Sequence, residues 1–218
     1  MSFTKLYSFL EKLQKNNSKE WMDKHRKEYV RVRDFFIGWL DDMNDKLASI
    51  DDTYFNTPGK KAINRINNNL MFHPNRPVYK DHFGAGLDQL SKQGDFYIEL
   101  GINESFLGGG YWHPSTDILK RIRNAIDYNG EELKAILEKP SFKKMFGDMV
   151  VDNPLKTAPK GFSTDHEHID LLRRRSFAVV HYVSREEVLA TDFESKVLNI
   201  YKEMLPFRRY LNEAITVV

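Results

Sequence analysis

Arg65, Lys80 and His82 fall in a stretch dense in groups able to recognise an anion. Asn64-Arg65-Ile66-Asn67-Asn68-Asn69 is followed closely by Arg76-Pro77-Val78-Tyr79-Lys80-Asp81-His82. A guanidinium fork suits bidentate binding of carboxylate or phosphate, an ammonium adds a point charge, and an imidazole moves protons near neutral pH. Glu99 is the carboxylate best placed to join them, with Tyr97 beside it. Both alternate with Phe96, Ile98 and Leu100, so they share the polar face of a strand. His82 and Glu99 are the candidate proton-transfer groups, and Arg65, Lys80 and Tyr97 the candidate ligand contacts. An exposed polar loop anchored by Tyr79 and Phe83 has the same sequence signature, because spacing alone does not make the cations converge.

A second feature is the run Gly108-Gly109-Gly110, set between Phe106-Leu107 and Tyr111-Trp112-His113-Pro114. Glycine packs no side chain and loses the most backbone entropy on folding, so three in a row imply unusual torsions or a close approach. A turn here, between a strand and a helix start, could cradle a phosphate or carboxylate on free N–H groups, with Trp112 alongside. No Gly-Lys-Ser/Thr follows, so this is not a P-loop, and the dinucleotide fingerprint is absent. The competing reading is a bulge or a close-packing site.

Other clusters carry less. Asp165-His166-Glu167-His168 contains ligand-type residues that His82, Glu99 or His113 could join, yet lacks the i, i+4 histidine pair of zinc proteases. Asp165 is more simply an N-cap, and no metal ligand is assigned. No cofactor is indicated, and no serine sits in a nucleophile elbow. Arg173-Arg174-Arg175 could touch a phosphate backbone, but a short basic cluster is more often a solvated edge.

The elements that must position these residues follow from periodicity. Leu6, Phe9, Leu10 and Leu13 predict a helix that breaks at Asn16-Asn17, with Asn17 and Glu20 as a capping box for the next. Tyr29, Val32, Phe36, Trp39, Met43, Leu47 and Ile50 form the core stripe of a long helix. After Asn56-Thr57-Pro58-Gly59 the texture is strand-like: a strand over Ala62 to Ile66, and a hairpin joining 95–100 to 105–107 through Gly101-Ile102-Asn103-Glu104. Pro114 to Asp117 open a helix, Asn129 with Glu132 cap the next, and Pro140 starts a third ending at Gly147. Residues 153–163 form a loop, 175–182 a strand, and Thr191 with Glu194 cap a C-terminal helix that Pro206 kinks or restarts.

The expected class is α+β: a small antiparallel sheet with N-terminal and C-terminal helices packed around it, in a single compact domain over residues 1–218. With 41% hydrophobic residues the chain can bury a core of its own. Lys plus Arg number 33 against 31 acids, a net charge of +2 that gives nucleic acid no general attraction. The chain has no cysteine and no apolar run of membrane-spanning length, which points to the cytoplasm and away from a membrane partner.

The chain also resembles the bacterial and fungal family known as domain of unknown function 2461. The resemblance rests on Asn16-Asn17 with Glu20-Trp21 and Tyr29, on Arg65-Ile66, and on Pro77-x-Tyr79-Lys80-x-His82-Phe83-Gly84. It continues through Phe96-Tyr97, Glu104 to Gly110, Trp112-x-Pro114, Pro159-x-Gly161-Phe162, Asp165-His166 and Ser176-Phe177. It implies a shared fold and no particular activity. Where the commoner family pattern has an Arg-Asp-x-Arg-Phe-Ser type run, this chain has Asn67 to His73, so no carboxylate is available at Asn68.

Two functional classes follow. One is a small-anion-binding protein, an enzyme or sensor, with a basic cleft beside the Gly108–Gly110 turn. The other is a non-catalytic interaction module presenting exposed aromatics around Tyr111 and Trp112. Nucleic acid is not expected as a partner.

Overall fold

The computed structural model describes residues 1–91 and 94–216. Helices α1 (Phe3–Lys15), α2 (Lys19–Lys24), α3 (Arg26–Ala48) and the single-turn α4 (Gly59–Ala62) come first. Strands β1 (His82–Ser91), β2 (Gly94–Gly101) and β3 (Ser105–Tyr111) follow. Helices α5 (Thr116–Glu138), α6 (Pro140–Phe146) and α7 (Ile169–Leu172) lead to β4 (Phe177–Tyr182), and α8 (Arg185–Leu189) and α9 (Phe193–Thr216) complete the order. The strands form one antiparallel sheet, β1-β2-β3-β4, with helices before and after it in the chain, the α+β class expected. Among the described residues no helix is long and apolar enough to cross a membrane.

The chain packs as two compact units. The first comprises Met1–Asp88, Tyr97–Leu107 and Tyr182–Leu198; the second comprises Gln89–Phe96, Gly108–His181 and Asn199–Val218.

In the first unit, α1 buries Leu6, Phe9, Leu10 and Leu13, and α3 buries Val32, Phe36, Trp39, Leu40, Met43 and Leu47. Each such side chain removed from water contributes about 1.5–3 kcal/mol. Phe3 meets Trp39 and Phe193 edge-on at centroid separations of 5.2 and 5.6 Å, which ties the start of α1 to α3 and α9. The cap of α2 is Ser18, whose hydroxyl accepts from the Trp21 amide, rather than Asn17. Asn17 is engaged elsewhere, as described below.

Residues 62–66 are not a strand. Pro58-Gly59 followed by Lys60-Lys61-Ala62 starts a helical turn that buries Ala62, and only isolated bridges remain beyond it, Ile63 to Ala85 and Asn67 to Tyr79. The strand that the sequence did not announce is β1, in which buried Phe83, Ala85 and Leu87 alternate with Gly84 and Gly86.

In the second unit, α5 bends at Asn129 (φ −145°, ψ 48°), whose side chain donates to Glu132 Oε2 at 2.6 Å, so the expected cap lies at a kink within one helix. Ile122, Ile126, Leu133, Phe142, Phe177, Val179, Tyr201, Met204 and Phe207 make the core. Pro206 lies inside α9 with its ring exposed, so the helix runs through it. Asp165 caps nothing: α7 begins at Ile169, with His168 at its N-cap.

Candidate functional site

The first unit assembles a polar array from segments well separated in sequence. Asn17, just past the end of α1, donates through Nδ2 to the Tyr79 carbonyl at 2.9 Å and accepts the Tyr79 amide on Oδ1 at 2.9 Å. This two-bond clamp fixes the backbone immediately before Lys80. The Lys80 amide then donates to the Ile66 carbonyl at 2.8 Å, and the Asn64 amide to the Gly84 carbonyl at 2.8 Å, so residues 64–68 run beside 78–84. Arg65 and Lys80 thereby come from paired segments, close enough that the Arg65 charge acts on the Lys80 ammonium.

Strand β2 supplies the remainder. Its burial alternates as expected, with Ile98 and Leu100 inward and Tyr97 and Glu99 on the polar face. The Tyr97 hydroxyl donates to Glu99 Oε2 at 3.0 Å, His82 Nε2 stands 3.4 Å from the same oxygen, and His82 Nδ1 lies 3.2 Å from Asp81 Oδ1. Asn64 Nδ2 reaches the Tyr97 hydroxyl at 3.4 Å. A Cβ at Gly84 would collide with that hydroxyl, so the missing side chain in β1 is what gives the Tyr97 phenol its place.

Burial dominates the electrostatics. It raises the Glu99 carboxyl above its ordinary range, while the His82 charge, the Tyr97 hydrogen bond and Lys80 pull the other way and Glu104 pushes further up. Desolvation lowers Lys80, opposed by Glu99 and reinforced by Arg65 and Arg76. Each member of the Lys80–Glu99 couple is thus held toward its neutral form. A carboxyl that retains its proton more readily than usual, touching an imidazole and a phenol, can exchange a proton with a ligand held by the neighbouring cations. The structure brings Arg65, Lys80, His82, Tyr97 and Glu99 into this one array.

Gly108, Gly109, Gly110 and Trp112 belong to the second unit and are not a turn. The glycines lie inside β3 and are buried. A Cβ at Gly109 would meet Met204 and the Arg208 stem of α9; one at Gly110, where φ is +110°, would meet the Phe177 carbonyl and the Phe207 ring. Close packing against α9 and β4 therefore accounts for Gly109 and Gly110, and it fills the space a ligand would need beside them. Tyr111 is 1% exposed, its hydroxyl donating to Asn212 Oδ1 at 2.9 Å, so only Trp112 of the two expected surface aromatics faces solvent.

Two polar clusters of the second unit gather residues from separate segments, the second including Glu167 and His168 of the ligand-type run noted in the sequence. Ser176, His113 and Asp152 unite the residue types of a serine triad, but Ser176 is 1% exposed and donates its hydroxyl to Asp152 while accepting the His113 backbone amide at 2.9 Å. The hydroxyl is a structural link, engaged on both sides, and His113 presents its backbone amide to it rather than its ring. Glu131, Glu167 and His168 place one ligand-type atom each within 4.8 Å of one another, and Lys134 already bonds the Glu131 carboxylate at 3.2 Å. Neighbouring His166 donates to Asp127 at 2.9 Å and accepts the His168 amide on Nδ1, which makes it a brace for the loop before α7.

A family model described as conserved hypothetical protein (DUF2461) matches residues 5–210. The chain belongs to this family. No match was found among curated proteins or among solved structures. The span matched by the DUF2461 model includes the whole array around Glu99 and the clusters of the second unit.

Proposed function

We propose that this DUF2461 protein binds a small anionic ligand in its first unit, in the cytoplasm, with Arg65 and Lys80 holding the charge and His82 and Glu99 exchanging a proton with it. The observation that carries the reading is the shared oxygen Glu99 Oε2, 3.0 Å from the Tyr97 hydroxyl and 3.4 Å from His82 Nε2, in an array where Lys80 and Glu99 are both pushed toward neutrality. Perturbed groups of opposite type gathered in one place are the usual preparation for acid–base work. The test is a thermal-shift screen against phosphates, carboxylates and nucleotides. A ligand at a hundred times its dissociation constant adds roughly 2.7 kcal/mol, and this gain should vanish in Arg65→Ala and Lys80→Ala but survive in Glu99→Gln. Turnover of the ligand, if the protein is an enzyme, should vanish in Glu99→Gln. Stabilisation indifferent to Arg65 and Lys80 would sink the reading.

An interaction role has one observation of its own, the consecutive side chains Leu70, Met71 and Phe72, the last two 80% and 70% exposed. Self-association seen by sedimentation and abolished by Phe72→Ser would favour it.

A further inference from the structure

The second unit carries a basic hollow that the array around Glu99 does not use. A cavity of about 440 Å³ is lined by Asp152, Lys156, Arg173, Arg174, Arg175 and Ser176, with the apolar side chains of Val151 and Leu155 beside them. An adjoining hollow of about 400 Å³ shares Leu155 and Arg175 and adds His113 and Arg123. Volumes of this size suit a small organic molecule.

The arginines around these hollows bond mostly to backbone carbonyls rather than to carboxylates. Arg123 spends its donors on the carbonyls of Leu172 at 2.8 Å and Arg174 at 3.0 Å; Arg174 spends Nη1 on those of Met149 and Val150 at 3.4 and 3.3 Å. Carbonyl bonds orient a guanidinium and leave its charge in place. Of the two acids in the walls, Asp152 receives the Ser176 hydroxyl and stands 3.5 Å from His113 Nδ1. Asp170 is 96% exposed and only 3.9 Å from Arg173 Nη1, a weak and screened contact. Arg173 Nε is buried with no hydrogen-bond partner, a costly state for a charged donor. Among the described residues no acid lies within ion-pair distance of Arg175 or Lys156. Five cationic side chains thus share the two carboxylates of the lining, one of them already engaged, with Asp148 acting on Arg174 as well. His113, held at φ +47° where a residue with a side chain rarely sits, lines the adjoining hollow.

We infer that this hollow is a second anion site, for a phosphate monoester: the dianionic head lies between Arg173, Arg175 and Lys156, and the organic part rests on Leu155 and Val151. Several uncompensated charges suit a dianion better than a lone carboxylate, and guanidinium forks match phosphate oxygens in pairs. Arg173-Arg174-Arg175, which the sequence presents as a solvated edge, becomes the wall of a pocket.

Isothermal titration of the full chain with phenyl phosphate, inorganic phosphate and phenol tests this. Phenyl phosphate should bind more tightly than inorganic phosphate, and phenol not at all. Arg175→Ala and Lys156→Ala, both at exposed positions, should each weaken phenyl phosphate by roughly tenfold or more, the scale of a lost charged hydrogen bond. Arg175→Lys should recover only part of the loss. Arg65→Ala and Lys80→Ala should leave this titration unchanged, which separates it from the ligand proposed for the first unit. Failure of phenyl phosphate to bind overturns the inference. So does binding that Lys80→Ala removes and Arg175→Ala does not, or binding of a DNA duplex in preference to both phosphates.

Discussion

Glu99 sits on β2 with 12% of its side chain exposed, its Oε2 bonded by Tyr97 and facing His82, and burial holds its pKa above the ordinary 4.5. The sign of the consequence is fixed by linkage: the folded chain binds this proton more tightly than the unfolded one, so the stability it contributes is complete below 4.5 and is lost as pH rises through the folded value. Glu99→Gln keeps the shape and removes the titration. Urea unfolding from pH 4 upward should therefore show the variant gaining on the wild type as pH rises; a constant difference would contradict the burial argument. Asn17 acts at the same scale by a different means. Replacing it with Ala leaves the Tyr79 amide and carbonyl without their partners, a cost of about 1–3 kcal/mol, and frees the backbone that positions Lys80. Asn17→Ala should thus lower the melting temperature and weaken any ligand that depends on Lys80, whereas a surface amide would do neither.

Strand β3 shows what the glycines do for an element. Gly110 combines φ +110° with a site where any Cβ strikes the Phe177 carbonyl, so Gly110→Ala should cost about 3 kcal/mol or more by denaturant unfolding. Gly147, at φ +66° and ψ −131° after α6 with open space around it, is selected by torsion alone and should cost about 1–3 kcal/mol as Ala. Equal costs would mean that backbone torsion, not crowding by β4 and α9, selects Gly110. The same strand marks the limit of sequence reading. Three glycines announce a close approach but not what approaches, because Met204, Phe207 and Arg208 arrive from almost a hundred residues on. The α3 stripe was legible since its period comes from one helix burying one face, and so was the hairpin with Phe96, Ile98 and Leu100 inward. β1 was not, because Gly84, Ala85 and Gly86 dilute the β-branched and aromatic signal, and Gly84 is required there by Tyr97 across the sheet. Ala62 to Ile66 misled in the other direction: Pro58-Gly59 begins a helical turn, and a helix stop leaves only lone bridges.

For the molecule as a whole, formal charge is nearly balanced at +2, yet its effective groups are gathered locally, which is why total charge said so little about either candidate site. The array around Glu99 was visible as polar density near 65–82 and on one strand face. The hollow of the second unit was not, since 113, 152, 156 and 173–176 share no local pattern. Asp95, in the second unit, adds a term to the pH profile of the entire chain. Desolvation pushes its carboxyl up to about 6 from 3.8, against the attraction of Arg208 and a hydrogen bond from Gln89. Its folded pKa is raised, so the stability tied to its proton is complete below 3.8 and falls away as pH climbs toward 6 and past it. A displacement of that size corresponds to about 2–3 kcal/mol. Wild-type unfolding free energy should carry a downward contribution between pH 4 and 7 that Asp95→Asn removes, on top of the one that Glu99→Gln removes. Because the two residues are four apart on β2, about 13 Å at the rise of a strand, the double variant should show the sum of the two changes in slope. A double variant whose slope matches either single one would mean that one carboxyl had been assigned the titration of the other.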